Sequence, residues 1–157
     1  MSPKHASARE MRRPQRKSSV PLFAYGTLLL PEVMRAVTGR QPVGQPARLE
    51  GYACRLLRKR PYPGIRPSPG AVTTGLLYWG LDRRAWRRLD AFEDDDCYGK
   101  AIVTVLDGAS RRHQAVAYAV KAKHYGALSA LPWSAEKFRR QRLCVFLAAL
   151  RRGRLGC

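Results

Sequence analysis

Eleven acidic residues stand against 30 lysines and arginines, and that shortage leaves the 157-residue chain with a formal charge of +19. Polyanions are attracted to such a chain at low salt whether or not they are its partner, so charge alone assigns no function. The four cysteines, Cys54, Cys97, Cys144 and Cys157, form no CxxC pair and have no ligand spacing to His5, His113 or His124. Zinc coordination and a disulfide framework are therefore unsupported, and the expectation is a chain without cofactor or metal. No apolar run approaches the roughly 20 residues that span a bilayer, and no apolar segment with a small-residue cleavage site follows the basic start. A reducing cytoplasm is the expected compartment.

Organisation follows from composition. Residues Met1 to Ser19 hold six Lys/Arg, two Pro and nothing apolar larger than Met11, so they read as a disordered basic tail. One α+β domain is expected over residues 20–152, with a short tail at 153–157. Its first strand, Val20 to Tyr25, stops at Gly26-Thr27, and Pro31 opens a short helix. Ala47 to Leu57 reads as a second strand. Pro61 to Gly70 is so rich in Pro and Gly that it reads as a loop. Val72 to Trp79 reads as a third strand buried on both faces, which makes Trp79, like Trp86 and Trp133, a core anchor. Asp82 caps a helix bearing Trp86, Leu89 and Phe92, and Asp107 to Arg112 joins two strands into a hairpin. Ser134 caps a final helix with Leu143, Phe146, Leu147 and Leu150 on one stripe. The order implies a mostly antiparallel, strongly curved sheet flanked by helices.

Two features carry chemistry. Five of the acids crowd into seven residues, at Asp90, Glu93, Asp94, Asp95 and Asp96. They lie at a helix C-terminus, where the helix dipole disfavours carboxylates, so stability alone does not select them. Glu93 falls four residues after Leu89, beside the apolar stripe, whereas Asp94 to Asp96 are expected to face water. An acid in an apolar, like-charged setting is pushed towards accepting a proton near neutral pH. Two readings stay open on spacing: Glu93 as a general base, or Glu93 paired with one of the many arginines. The second feature is Gly26, placed after a strand so that the N–H groups of Gly26 to Leu28 converge into an anion-binding nest, or simply to end the strand in a turn. The turn lacks the glycine spacing and the lysine of a nucleotide phosphate loop.

Taken in order, Phe23-Ala24-Tyr25-Gly26-Thr27-Leu28, Arg48-Leu49-Glu50-Gly51-Tyr52, Tyr62-Pro63-Gly64, Gly75 to Leu81, Arg88-Leu89-Asp90-Ala91-Phe92-Glu93 and Tyr98 resemble the gamma-glutamylcyclotransferase-like family, in particular its small bacterial and plant avirulence-induced branch. The resemblance spans roughly Val20 to Leu150. It implies a six-stranded β-barrel-like core with flanking helices, Tyr25, Gly26, Thr27, Leu28, Leu29 and Leu30 as the turn that binds a γ-glutamyl group, Glu93 as proton acceptor, and Tyr118 facing the pocket. The activity it implies is release of 5-oxoproline and a free amine from a γ-glutamyl-amine or γ-glutamyl-amino acid. Two positions depart from the family pattern: Lys100 replaces an arginine, and Asp94 replaces the glycine after the acid. Two other function classes compete with this one. An inactive scaffold of the same fold would dock on nucleic acid or an anionic surface through its basic tail and the C-terminal cations. Thiol chemistry would use Cys54 or Cys97, against which stands the absence of a histidine in any recognisable partnership with either. His113 and His124 read as ordinary hairpin and loop residues.

Overall fold

The computed structural model describes residues 20–93 and 96–153. The expected basic tail over 1–19, most of the short C-terminal tail, and Asp94 and Asp95 lie outside the described residues. Five strands, β1 (Leu22–Ala24), β2 (Gly44–Leu56), β3 (Pro63–Tyr78), β4 (Tyr98–Asp107) and β5 (Arg112–Val120), close into a barrel in the order β1-β3-β2-β4-β5. Every pairing is antiparallel except β1 with β5, where Leu22 lies opposite Val116. The α+β barrel with flanking helices is as expected, but with five strands instead of the six implied by the resemblance.

Alternation along β1 divides the interior in two. Phe23 and Tyr25 point into the barrel with Leu49, Ile65, Leu77 and Val105. Leu22 and Ala24 point outward into a second core shared with the helices, where they meet Met34, Leu89 and Phe138. Large side chains such as Phe23 and Leu22 are at most 1% exposed, and each contributes about 1.5–3 kcal/mol of burial. Gly75 makes the close approach of β1 and β3 possible: a Cβ there would stand 2.2 Å from the Ala24 carbonyl oxygen and 2.8 Å from the Phe23 ring.

The sequence reading of residues 61–70 as a loop is corrected, because Pro63 to Gly70 form the first half of β3, paired with β2 from Leu56↔Pro63 to Tyr52↔Pro67. Pro63, Pro67 and Pro69 share one parity, so their missing N–H groups all fall on one edge. β1 pairs with β3 only at Leu76 to Tyr78, which leaves that edge without a strand neighbour where the prolines stand. Gly51 and Gly70, both at φ +84°, sit at the register shift beyond Glu50 and bend the long ribbon. The expectation of a strand buried on both faces also fails at Val72, which is 54% exposed beside a buried Thr73; only Leu77 and Tyr78 are buried in succession. Trp79 is not a core anchor, since it lies at the surface, donates to Gln45 and meets His113 edge-on.

Helix α1 (Pro31–Thr38) starts on its proline and ends on Gly39, left-handed at φ 78°. Helix α2 (Arg83–Phe92) is capped by Asp82, whose carboxylate accepts the Ala85 N–H at 2.8 Å. The expected final helix is two: α3 (Ala135–Gln141), capped by Ser134, and α4 (Leu143–Arg151), with the break at Arg142. The break lets Phe138 and Phe146 stack edge to face, with ring centroids 5.2 Å apart. Among the described residues no helix is long and apolar enough to cross a membrane.

Candidate active site

A cavity of about 670 Å³, counted with its open mouth, lies where β1 ends and the two cores meet. Its walls are built by the elements just described. β1 runs straight into Gly26, and Thr27–Leu29 make one 3-10 turn in which Leu29 and Leu30 donate to the carbonyls of Gly26 and Thr27. A turn of this kind leaves its first N–H groups without an acceptor inside it. The Leu28 carbonyl accepts the Tyr78 hydroxyl at 3.0 Å, which pins the turn to the end of β3. Gly26 is at φ −123°, so the left-handed region is not why glycine stands there. Proximity is the reason: a Cβ would lie 3.0 Å from Cγ and 3.2 Å from Cδ of Pro63.

Helix α2 is closed by Glu93 at its C-cap, whose N–H still reaches the Leu89 carbonyl at 2.9 Å. Glu93 is half-buried and lines the cavity together with Tyr25, Gly26, Thr27 and Leu28. The structure therefore brings together most of the residues singled out from sequence. Tyr118 lines the same cavity, whereas Leu29 and Leu30 are not among its lining residues and Leu30 is buried in the helix-side core. Asp96 faces water and is claimed by Lys123 and His124, at 3.0 and 2.9 Å, which hold its carboxyl down at about 2.

Three tyrosines complete the site: Tyr25 and Tyr118, both expected there, and Tyr98, to which the sequence reading gave no role. The Tyr25 hydroxyl donates to the Tyr118 carbonyl. Tyr98 donates to the Pro63 carbonyl at 2.7 Å, occupying the strand edge that the prolines leave open. Tyr118 donates to Asp90 at 2.7 Å, and Lys100 binds the same carboxylate at 2.9 Å while standing over Trp86. Burial raises all three phenols well above their usual range. The negative charge of Glu93 adds to this at each, and at Tyr118 the bond to Asp90 adds more. They stay protonated and act as neutral hydrogen-bonding groups. Phe92, Tyr62 and Phe146 close the remaining wall. Phe146 was legible as a stripe residue of the last helix, but not as a cavity residue, because the break at Arg142 decides where it points.

Cys54 and Cys97, the two thiols near the barrel and the site, offer little nucleophilic capacity. Burial pushes the Cys54 thiol up to about 11, and Cys97 is buried. Among the described residues, no three His, Cys, Asp or Glu side chains gather closely enough to hold a metal ion.

The closed α+β barrel with flanking helices is a fold of the gamma-glutamyl cyclotransferase kind. A solved structure described as gamma-glutamyl cyclotransferase superposes with a TM-score of 0.62 over 84% of this chain and 86% of its own, at 17% identity. A solution structure of an Arabidopsis thaliana protein gives 0.64 over 85% and 80%, at 25% identity. Residues 22–135 match the family described as "Gamma-glutamyl cyclotransferase, AIG2-like", and the chain belongs to that family. Among curated proteins, Arabidopsis thaliana Protein AIG2 B is 29% identical over 132 residues, covering 82% of this chain and 75% of its own length. AIG2-like protein C of the same plant is 32% identical over 107 residues, covering 68% and 62%.

Proposed function

We propose that the protein is a gamma-glutamyl cyclotransferase in which Glu93 is the general base and the Gly26–Leu28 turn holds the glutamyl group. The observation that carries this reading is that Glu93 and the Gly26–Leu28 turn line one cavity. In the reaction the substrate supplies its own nucleophile. Glu93 takes a proton from the α-ammonium, the amine attacks the γ-carbonyl carbon, and a new C–N bond closes a five-membered ring. Collapse of the tetrahedral intermediate breaks the original C–N bond as the proton on Glu93 passes to the departing nitrogen; the ring nitrogen, which still carries two protons after the attack, gives the surplus one to Glu93, and from there it passes to the released amine, which leaves as an ammonium. The products are 5-oxoproline and the free amine, with atoms and charge balanced and no cofactor drawn in.

Amides of the turn bind the α-carboxylate or the developing oxyanion, a contribution of roughly 10²–10³-fold for one well-aimed donor. General base action adds about 10²–10⁴-fold. The protonated phenols of Tyr25, Tyr98 and Tyr118 leave Glu93 as the charged side chain among the lining residues. The experiment incubates purified protein with γ-glutamyl amides and γ-glutamyl amino acids and measures 5-oxoproline. Glu93→Gln is expected to lower kcat/KM at least about 100-fold with an unchanged circular dichroism spectrum. Equal turnover by that variant removes the assigned base.

A further inference from the structure

Of the 30 lysines and arginines, none lines the cavity among the described residues. A γ-glutamyl substrate brings two kinds of polar group there. Its α-carboxylate and γ-carbonyl only accept hydrogen bonds, whereas its α-ammonium only donates, through three N–H bonds, and the scissile amide adds a single N–H. The amides of the turn are donors and suit the first kind. What receives the second kind depends on where the phenols of the cavity send their protons.

A phenol has one proton to give. Tyr98 gives its own to the Pro63 carbonyl and Tyr118 to the Asp90 carboxylate, each at 2.7 Å. A carbonyl has no proton to return, and Asp90 is held as an acceptor by Lys100, whose ammonium stands 2.9 and 3.1 Å from its two oxygens. Both hydroxyls therefore offer a guest only lone pairs, and among the described residues neither oxygen accepts a hydrogen bond from the protein. Tyr25 differs, because it donates to the Tyr118 carbonyl and also takes the Ile65 amide, so its hydroxyl is engaged in both directions. The negative charge of Glu93 acts on Tyr98 and Tyr118 alike, which places the carboxylate and the two phenol oxygens in one neighbourhood.

We propose that the phenol oxygens of Tyr98 and Tyr118, together with Glu93, receive the three N–H bonds of the substrate's α-ammonium, and that Asp90 and Lys100 are positioning residues that keep the Tyr118 proton out of the cavity. This rests on the cyclotransferase reading and adds binding residues to it. The scissile amide, with one N–H, is too poor in donors to fill two phenols and a carboxylate. Two N–H bonds held by neutral phenols leave the third to Glu93, so the proton that departs is chosen before the amine attacks.

The test takes the γ-glutamyl compound turned over fastest in the panel above and its glutaryl counterpart, which lacks the α-ammonium and is otherwise identical. Both are titrated by calorimetry at neutral pH into Glu93→Gln, where turnover is suppressed and the carboxylate no longer contributes. The glutamyl compound is expected to bind at least about tenfold more tightly than the glutaryl one, from hydrogen bonds to a charged group. Adding Tyr98→Phe or Tyr118→Phe is expected to lower that ratio about three- to tenfold, and Asp90→Ala to lower it as Tyr118→Phe does. Tyr98→Phe also orphans the Pro63 carbonyl, so Tyr118→Phe is the arm that spares the fold. A structural defect weakens both ligands alike and leaves their ratio where it was.

A ratio near one in Glu93→Gln, no binding of either ligand, or a ratio untouched by both phenol variants overturns the proposal. Release of 5-oxoproline by the wild-type protein then leaves the cyclotransferase reading standing. If folded wild-type protein releases 5-oxoproline from no compound in the panel, the cyclotransferase reading falls and the proposal falls with it.

Discussion

Gly26→Ala tests whether the turn is set by its contact with Pro63. The added Cβ would lie 3.0 and 3.2 Å from two ring atoms of Pro63, whereas carbon atoms pack best at about 3.5–4.0 Å. A gap of about half an ångström has to open. Pro63 cannot swing aside, since its ring is fused to the backbone, its carbonyl is held by Tyr98 and it pairs with Leu56 in β3. The turn therefore moves, and with it the amides of Thr27 and Leu28. Overpacking of this kind costs about 1–3 kcal/mol of stability. A displacement approaching 1 Å at a positioned donor costs up to about 100-fold in rate, so a fall in kcat/KM of about 10- to 100-fold is expected. The assay is 5-oxoproline release together with a thermal melt. Gly108→Ala is the control, because nothing lies within 4 Å of a Cβ at that hairpin position. Wild-type activity and an unchanged melting temperature in Gly26→Ala would refute the argument that Pro63 is a rigid wall of the site.

Other outcomes follow from the same geometry. Asp90→Asn weakens the grip of Lys100 and Tyr118 on the end of α2, so kcat/KM should fall about tenfold or less, and Glu93→Gln should mask the effect in the double variant. Asp107 accepts from the Ala109 and Arg111 amides and faces His113, and these contacts hold its carboxyl down at about 2. Its folded value lies below the unfolded one, so the stability it contributes is present above about pH 4 and lost as pH falls towards 2. Asp107→Asn should flatten the acid-melting curve in that window, and an unchanged curve would discount the contribution. Iodoacetamide at neutral pH should alkylate the exposed Cys144 and leave turnover intact, because Cys54 titrates near 11 and Cys97 is buried; inactivation that tracks labelling of either would reopen thiol chemistry.

The sequence carried local signals well and long-range ones poorly. Asp82, Ser134, Pro31 and the Asp107 hairpin are local, since a cap or turn is decided within a few residues, and each stands where the pattern placed it. The strand over Pro63 to Gly70 was illegible because proline argues against a strand wherever both edges are paired, and nothing local reveals that β1 reaches only Leu76 to Tyr78. Within the site, Tyr25, Gly26 and Glu93 were marked by a glycine after a strand and by an acid at the wrong end of a helix. The partnership of Tyr118 with Asp90, 28 positions apart, needed the barrel to exist first. The same holds for Phe146, whose direction depends on a helix break that no glycine or proline announces.

The parallel contact of Leu22 with Val116 joins residues almost a hundred positions apart, and it is the seam on which the barrel closes. A ribosome finishes the first strand long before its final neighbour exists, and β1 has only three residues with which to wait. The nascent chain can zip β2 onto β3 and seat β1 and its turn on β3 early, yet the cavity beside that turn lacks Tyr98 and Tyr118 until β4 and β5 arrive. Competence for any chemistry at that turn is thus acquired last and all at once, so a chain cut short before Val116 should be inert instead of partly active.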